Sequence, residues 1–417
     1  MCDRKSCEMS TSTPAPNDTR AARVLHTGAT VHRQPVVHLD RSVYGYAVSV
    51  LVRPSPVSRA LDRDQVVHSA YGRLDLASTA GGAPVFVRAT TAMLIGERPL
   101  PQSPGGVVVE APRQFADHPH AETHLARLHS DGVRLALADY RPGGNQDALL
   151  AQVDFVKVDL QADDDAVRVA ISAAHGAGVK VVAERVDTEA AVSFCAANGV
   201  ELLQGPMFLR GAPPTRHRFT AGEIQCVELL RLLAAEDVDH DAVVAVVSAD
   251  AELTIRVLHL VNASAFALLA RIDSVTRAVV LLGPPALSAL AASALFAGTD
   301  KTKSGLWFML TRAVTCRALA DNDAAYTVGL LSAVAAHLRI APADLVARTG
   351  VSAAVAAAVI TQSGPYGQVL AAVLAHEENN TAAVEATGLS QSDVAQKYLA
   401  AVADAFETVS FLTDLAV

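Results

Sequence analysis

Two rhythms of apolar and polar residues divide the chain. From about Arg33 to Gly211, short β-branched runs alternate with amphipathic stretches of helical period. The runs predict strands at Gln34–Leu39, Val43–Val52, Val85–Ala89, Gly106–Glu110, Arg134–Asp139, Phe155–Asp159 and Lys180–Glu184. Helices such as Ala121–Ser130, Asp164–Ala177 and Thr188–Asn198 are expected between them. This alternation implies right-handed βαβ units and a parallel sheet. About seven or eight such units over roughly 180 residues suffice for a closed or nearly closed α/β barrel, with its site at the C-terminal ends of the strands. Pro213-Pro214, followed by Arg216, His217 and Arg218, ends the rhythm. Beyond it only helical periodicity remains, punctuated by Gly283-Pro284, Asn379-Asn380 and Gly388. The expected organisation is a polar, disordered arm over 1–30, an α/β barrel over 31–212 and an all-helical domain over 219–417.

Composition narrows the function classes. A net charge of −9, with no basic stripe among aromatics, argues against nucleic-acid binding. Cys2, Cys7, Cys195, Cys226 and Cys316 are odd in number and form no C-x-x-C pair, so neither a disulfide framework nor a zinc ribbon is expected. Cys195 and Cys316 read as core residues. The N-terminal arm lacks the apolar centre of a signal peptide, and the longest apolar run, Pro284–Gly298, is too short to cross a bilayer. A cytoplasmic protein with no membrane contact is expected. His118, His120 and His124 cluster in sequence without a completing carboxylate or cysteine pattern, and read as a surface group.

Six ordered segments carry a resemblance in the first half. They are Gln34-Pro35-Val36-Val37-His38-Leu39, Val107-Val108-Val109-Glu110, Leu135-Ala136-Leu137-Ala138-Asp139-Tyr140, Phe155-Val156-Lys157-Val158-Asp159, Val181-Val182-Ala183-Glu184-Arg185-Val186-Asp187-Thr188 and Leu203-Gln204-Gly205-Pro206-Met207-Phe208. Each is weak alone, but together they resemble the EAL family of cyclic di-GMP phosphodiesterases. The resemblance implies a TIM-like barrel and, in active members, two divalent ions held by clustered carboxylates. Here the ligand positions depart from the pattern. The first carboxylate is replaced by Ala47 if the register follows Gly45, or by Ser49 if it follows Leu51-Val52-Arg53. Arg88 stands where the family has asparagine, and the paired aspartates become Ala138 and Asp139. Arg53, Glu110, Asp139, Lys157, Glu184 and Gln204 remain as remnant site positions. Lys157 and Glu184 read either as a retained ligand pocket or, as the preferred account, as a structural ion pair in the barrel mouth.

The second half resembles the HDOD family. Ser248 to Phe266, with Asp250, Asn262 and Ser264, is close to its first signature, and Ile272 to Gly283 to its second. The segment Thr327–Ala333, where an active phosphohydrolase relative would carry a His-Asp pair, has neither residue, so no catalytic centre is expected there. The combined reading is a bacterial signal-transduction protein without catalytic residues, cofactor or metal, binding protein partners through its helical domain. The alanine-rich helices 285–296 and 352–372 are its candidate contact faces. One alternative is a sensor that binds cyclic di-GMP, or another nucleotide, through Arg53, Lys157, Glu184 and Gln204 without hydrolysis. The other is a weak phosphodiesterase recruiting Mg²⁺ or Mn²⁺ through Glu110 and Asp139. A homodimer through the barrel is compatible with the resemblance.

Overall fold

Eight short strands, apolar on both faces, alternate their side chains between an inner core and a surrounding layer of helices. In the computed structural model they are β1 (Ala29–Val37), β2 (Val43–Val52), β3 (Val85–Arg88), β4 (Val107–Ala111), β5 (Arg134–Leu137), β6 (Phe155–Asp159), β7 (Lys180–Glu184) and β8 (Leu202–Gln204). The structure describes residues 29–52, 63–208, 220–234, 237–262, 272–295 and 302–414. The strands close into a barrel in chain order. Val36, Ala47, Phe86, Val108, Ala136, Phe155, Val182 and Leu202 fill its interior, with the Phe86 and Phe155 rings edge to face at 5.5 Å.

The sheet is not wholly parallel. β1 runs antiparallel to both β2 and β8, whereas the pairs from β2 to β8 are parallel. The cause is loop length. Only 38–42 separate β1 from β2, and that turn is closed by His38 and Ser42, whereas a parallel return needs a dozen or more residues. β1 also starts at Ala29, earlier than its sequence pattern suggests and inside the stretch expected to be disordered. The remainder of that arm, 1–28, lies outside the described residues.

Around the barrel lie α1 (Arg63–Arg73), α2 (Leu76–Ala80), α3 (Thr91–Leu94), α4 (Ala121–Ser130), α5 (Asp164–Gly176) and α6 (Glu189–Ala197). Polar caps start several of them. Asp75, Asp163 and Thr188 each accept from amides of the first turn.

The second half is helical throughout its described residues. It comprises α7 (Ala221–Leu233), α8 (His240–Ala249), α9 (Ala251–Asn262), α10 (Val275–Ala294), α11 (Thr302–Ala320), α12 (Asp323–Leu338), α13 (Pro342–Thr349), α14 (Ala353–Thr361), α15 (Gly364–Glu377), α16 (Thr381–Ala386) and α17 (Gln391–Asp414). Thr220 and Glu223 form a reciprocal capping box at α7. α10 is long and apolar enough to span a membrane by length and composition. Gly283, at φ 70° and followed by two prolines, breaks it into 275–282 and 284–294. Each piece falls well short of the ~20 residues a spanning helix needs.

The two halves meet on β1, which is covered by α15 and α17. The His32 ring stacks on His376 of α15 at 4.7 Å. The Arg33 guanidinium lies 3.6 Å from the centre of the Tyr46 ring and 4.0 Å from that of Trp307 on α11. Trp307 is held by donating from Nε1 to the Val402 carbonyl of α17 at 2.8 Å.

Candidate functional site: the barrel mouth

The polar rim is built by strand ends. Arg88 closes β3 opposite Glu110 on β4, and Asp159 closes β6 opposite Glu184 on β7. At the centre is Lys157, only 1 % exposed. Its Nζ lies 2.6 Å from Glu110 Oε1 and 3.0 Å from Glu184 Oε1, and donates to Gln204 Oε1 at 2.8 Å. Gln204 Nε2 passes the chain on to Gln34 Oε1 at 3.0 Å. Burial opposes the lysine's charge, but the two glutamates more than offset it, so Lys157 titrates above the ordinary lysine range. Burial likewise works against the Glu184 carboxylate, yet the adjacent ammonium holds its pKa below the usual value.

Arg88 reaches across the rim with its side chain 44 % exposed. Nε lies 3.8 Å from Glu110 Oε2 and Nη2 lies 3.4 Å from Asp139 Oδ2. Asp139 itself sits in the left-handed region at φ 50°, tolerated better by Asp than by most residues. Sequence reasoning missed three members of this rim. Gln34 was legible only as a motif residue, while Asp159 and Arg185 pair with each other through Arg185 Nε and Asp159 Oδ1 at 2.6 Å. Their signal was position: both lie at or just past a strand's C-terminal end.

Register settles the choice between Ala47 and Ser49. Ala47 pairs with Phe86 and belongs to the apolar interior, one layer beneath the rim. Because side chains alternate with period two, the next inward position is Ser49, level with Arg88. Ala47 is therefore not the rim position; Ser49 is. Ala138 is buried just before Asp139. Arg53 lies outside the described residues. The structure thus joins Glu110, Asp139, Lys157, Glu184 and Gln204 with Arg88 in one network. Among the described residues no three His, Cys, Asp or Glu side chains come together as a metal-holding group. His118 and His124 meet edge to face, with His118 stacked on Phe115. Cys195, Cys226 and Cys316 are buried.

The helical half uses its signature residues structurally. Asp250 Oδ1 accepts from the Leu253 amide, starting α9. Asn262 donates to the Leu258 and Ile272 carbonyls and accepts from the Ile272 amide, each at 2.7 Å, which clamps the end of α9 to the approach to α10. Gly283 forms the break in α10, and Ser264 lies outside the described residues. Within 327–333, Ser332 Oγ accepts from Arg312 Nη1 at 3.2 Å. Arg312 in turn makes a buried pair with Glu377, at 2.7 Å from Nη2 to Oε2.

Family comparison agrees with this division. Residues 74–211 match the EAL domain and residues 225–344 match the HDOD domain. The chain is an EAL–HDOD protein. The uncharacterized protein YuxH of Bacillus subtilis is 25 % identical over 263 residues, covering 61 % of this chain and 64 % of YuxH, just under two thirds of that relative. The cyclic di-GMP phosphodiesterase CdgJ of Vibrio cholerae is 24 % identical over 359 residues, covering 82 % of this chain and 83 % of CdgJ. Among solved structures, the PaMucR phosphodiesterase in complex with c-di-GMP is 19 % identical, covers 43 % of this chain and 90 % of its own, and gives a TM-score of 0.35. Klebsiella pneumoniae BlrP1, with calcium and c-di-GMP, is 18 % identical, covers 48 % and 58 %, and gives 0.36. In the EAL–HDOD chain, β1 and β2 precede the matched EAL residues, and α14–α17 follow the matched HDOD residues.

Proposed function

We propose that this EAL–HDOD chain acts in cyclic di-GMP signalling as a non-catalytic regulator that contacts protein partners through its helical domain. The observation that carries the reading is the pairing at the rim, where Glu110, Asp139 and Glu184 each face Arg88 or Lys157. Two divalent ions need several free anionic oxygens, and each ligand offsets part of an ion's hydration. Ser49 and Arg88 supply none, and the guanidinium repels a nearby cation. The donor set does not fit Mg²⁺ or Mn²⁺, so no hydrolytic step is derived through them. The relative CdgJ supports the nucleotide context, and cytoplasmic residence follows from the same signalling reading.

Incubating the purified chain with cyclic di-GMP and either Mg²⁺ or Mn²⁺ tests this, with products separated by chromatography. No turnover above the buffer control is expected. Hydrolysis that disappears in Glu110→Gln would overturn the reading and leave the weak phosphodiesterase in its place.

A second reading is favoured by one feature. Arg88 is partly exposed at the mouth, where its guanidinium is available to a phosphodiester. Binding of cyclic di-GMP without metal is then expected to be visible by calorimetry and to weaken in Arg88→Ala. Equal heats with and without Mg²⁺ would separate this reading from metal-dependent binding.

A further inference from the structure

The seam between the domains carries a histidine from each side. His32 of β1 and His376 of α15 stack with ring centres 4.7 Å apart, and each residue is 2 % exposed. The ring of Tyr398 on α17 lies 4.8 Å from that of His376. Burial removes the water that would solvate an imidazolium, and His376 Nδ1 has no hydrogen-bond partner among the described residues. The charged neighbours give a proton no support either. β1 brings His32 and the adjacent Arg33, and α11 brings Arg312; both guanidiniums act on the nearby Tyr398. Glu377 is next to His376 in the chain, but Arg312 holds both its oxygens, at 3.2 Å from Nε and 2.7 Å from Nη2. Glu378 lies past the end of α15. On the helices around α15, Arg317 lies over the Tyr326 ring and Asp393 pairs with Lys397. Asp323, His337, Glu385, Asp404 and Glu407 are exposed, and α14 has no titratable side chain.

Each domain also has its own support on either side of this stack. β1 is paired with β2 along its whole length, from Ala29 opposite Val52 to Val37 opposite Val43. α15 packs on α11, α12, α14 and α16 within the helical domain. Separation at the seam therefore gives His376 water and its ordinary basicity while leaving these contacts in place. Linkage sets the direction. Burial first, and the His32 ring second, hold His376 at about 3 in the closed seam, against an ordinary 6.5 once it is exposed. Its contribution to closure is complete above pH 6.5 and is lost as pH falls toward 3. Between about pH 7.5 and 5 the open form gains roughly thirtyfold on the closed one, and by about pH 4 a few hundredfold.

We propose that the His32–His376 stack is an acid-sensitive latch between the domains. It holds the helical domain on β1 while His376 is neutral, and protonation of His376 releases α15 and α17 from the strand while both domains keep their folds. Release uncovers the surfaces of α15 and α17 that lie on β1 in the closed form.

The chain has a single tryptophan, Trp307, and it reports on the seam: it is buried on the helical side, against Tyr46 and Arg33 of the barrel. The full chain is taken from about pH 7.5 to 4 while acrylamide quenching of Trp307 and the far-ultraviolet circular dichroism are followed together. Quencher access is expected to rise several-fold below pH 6.5 while the helical signal holds. His376→Phe, which keeps an aromatic ring in the stack and cannot take a proton, is expected to leave quencher access flat over the same range. His376→Gln, also neutral throughout, serves if the phenylalanine variant does not fold. Quencher access that stays unchanged in the unmodified chain, or that rises only together with loss of the helical signal, would overturn the proposal. So would an undiminished rise in a folded His376 variant.

Discussion

Lys157 shows how a barrel mouth can hold a buried cation among carboxylates. Its ammonium has three donors and three acceptors around it, from Glu110, Glu184 and Gln204. Replacing it with Met removes the charge while leaving two carboxylates in a poorly hydrated site. Lys157→Met is expected to cost about 3–5 kcal/mol in denaturant unfolding, the range for stranding one side of a buried pair. Adding Glu110→Gln and Glu184→Gln should recover much of that loss; a triple variant as unstable as the single would refute the ion-pair account. His376 makes a different prediction. Burial, with His32 beside it, pushes its pKa down to about 3, against an ordinary value of 6.5. The unfolded chain therefore binds a proton that the folded chain refuses, so stability is full above pH 6.5 and falls as pH drops toward 3. The slope from this one group is about 1.4 kcal/mol per pH unit within that window. Thermal midpoints measured between pH 7 and 5 should decline, and His376→Phe should flatten the decline. An unchanged slope in that variant would remove His376 as the cause.

Helix α12 lies close against α11 because residue 329 has no side chain. A Cβ on Gly329 would stand 2.8 Å from both the Ala313 Cα and the Arg312 carbonyl oxygen. Gly329→Ala must separate the two backbones, and about 1–3 kcal/mol of destabilisation is expected. Unfolding of that variant by denaturant checks it, and a neutral or stabilising result would mean that the helices have room to move. Many elements were legible as periods: apolar spacing placed β2–β7 and α4–α6 to within a few residues, but not α1–α3. Pairing direction was not, because periodicity records which face is buried and not which neighbour lies alongside. The five residues between β1 and β2 held the missing information, being too few for a parallel crossover. β8 was legible only as a motif, since three residues show no period. The same limit left Ala47 and Ser49 open in the sequence. Only the pairing of β2 with β3 decides which of them reaches the rim.

At the scale of the whole molecule, the least legible feature is the seam on β1. His32, Arg33 and Gln34 are consecutive, yet His32 and Arg33 touch the helical domain while Gln34 receives a hydrogen bond from the Lys157 network. In sequence Arg33 reads as an ordinary polar residue at a strand start. Its burial is created by Trp307, far along the chain, and no local pattern encodes such a contact. This arrangement makes the stability of one domain depend on the other. Arg33→Ala deletes a barrel side chain, so in a chain of independent domains only the barrel should weaken. If the seam couples them, Trp307 loses its stacked partner, and α17, which holds the indole through Val402, loses support as well. Hydrogen exchange should then accelerate in α17 as well as in β1, and calorimetry should lower the unfolding of both halves together. Exchange in α17 identical to that of the unmodified chain would show that the domains are merely adjacent.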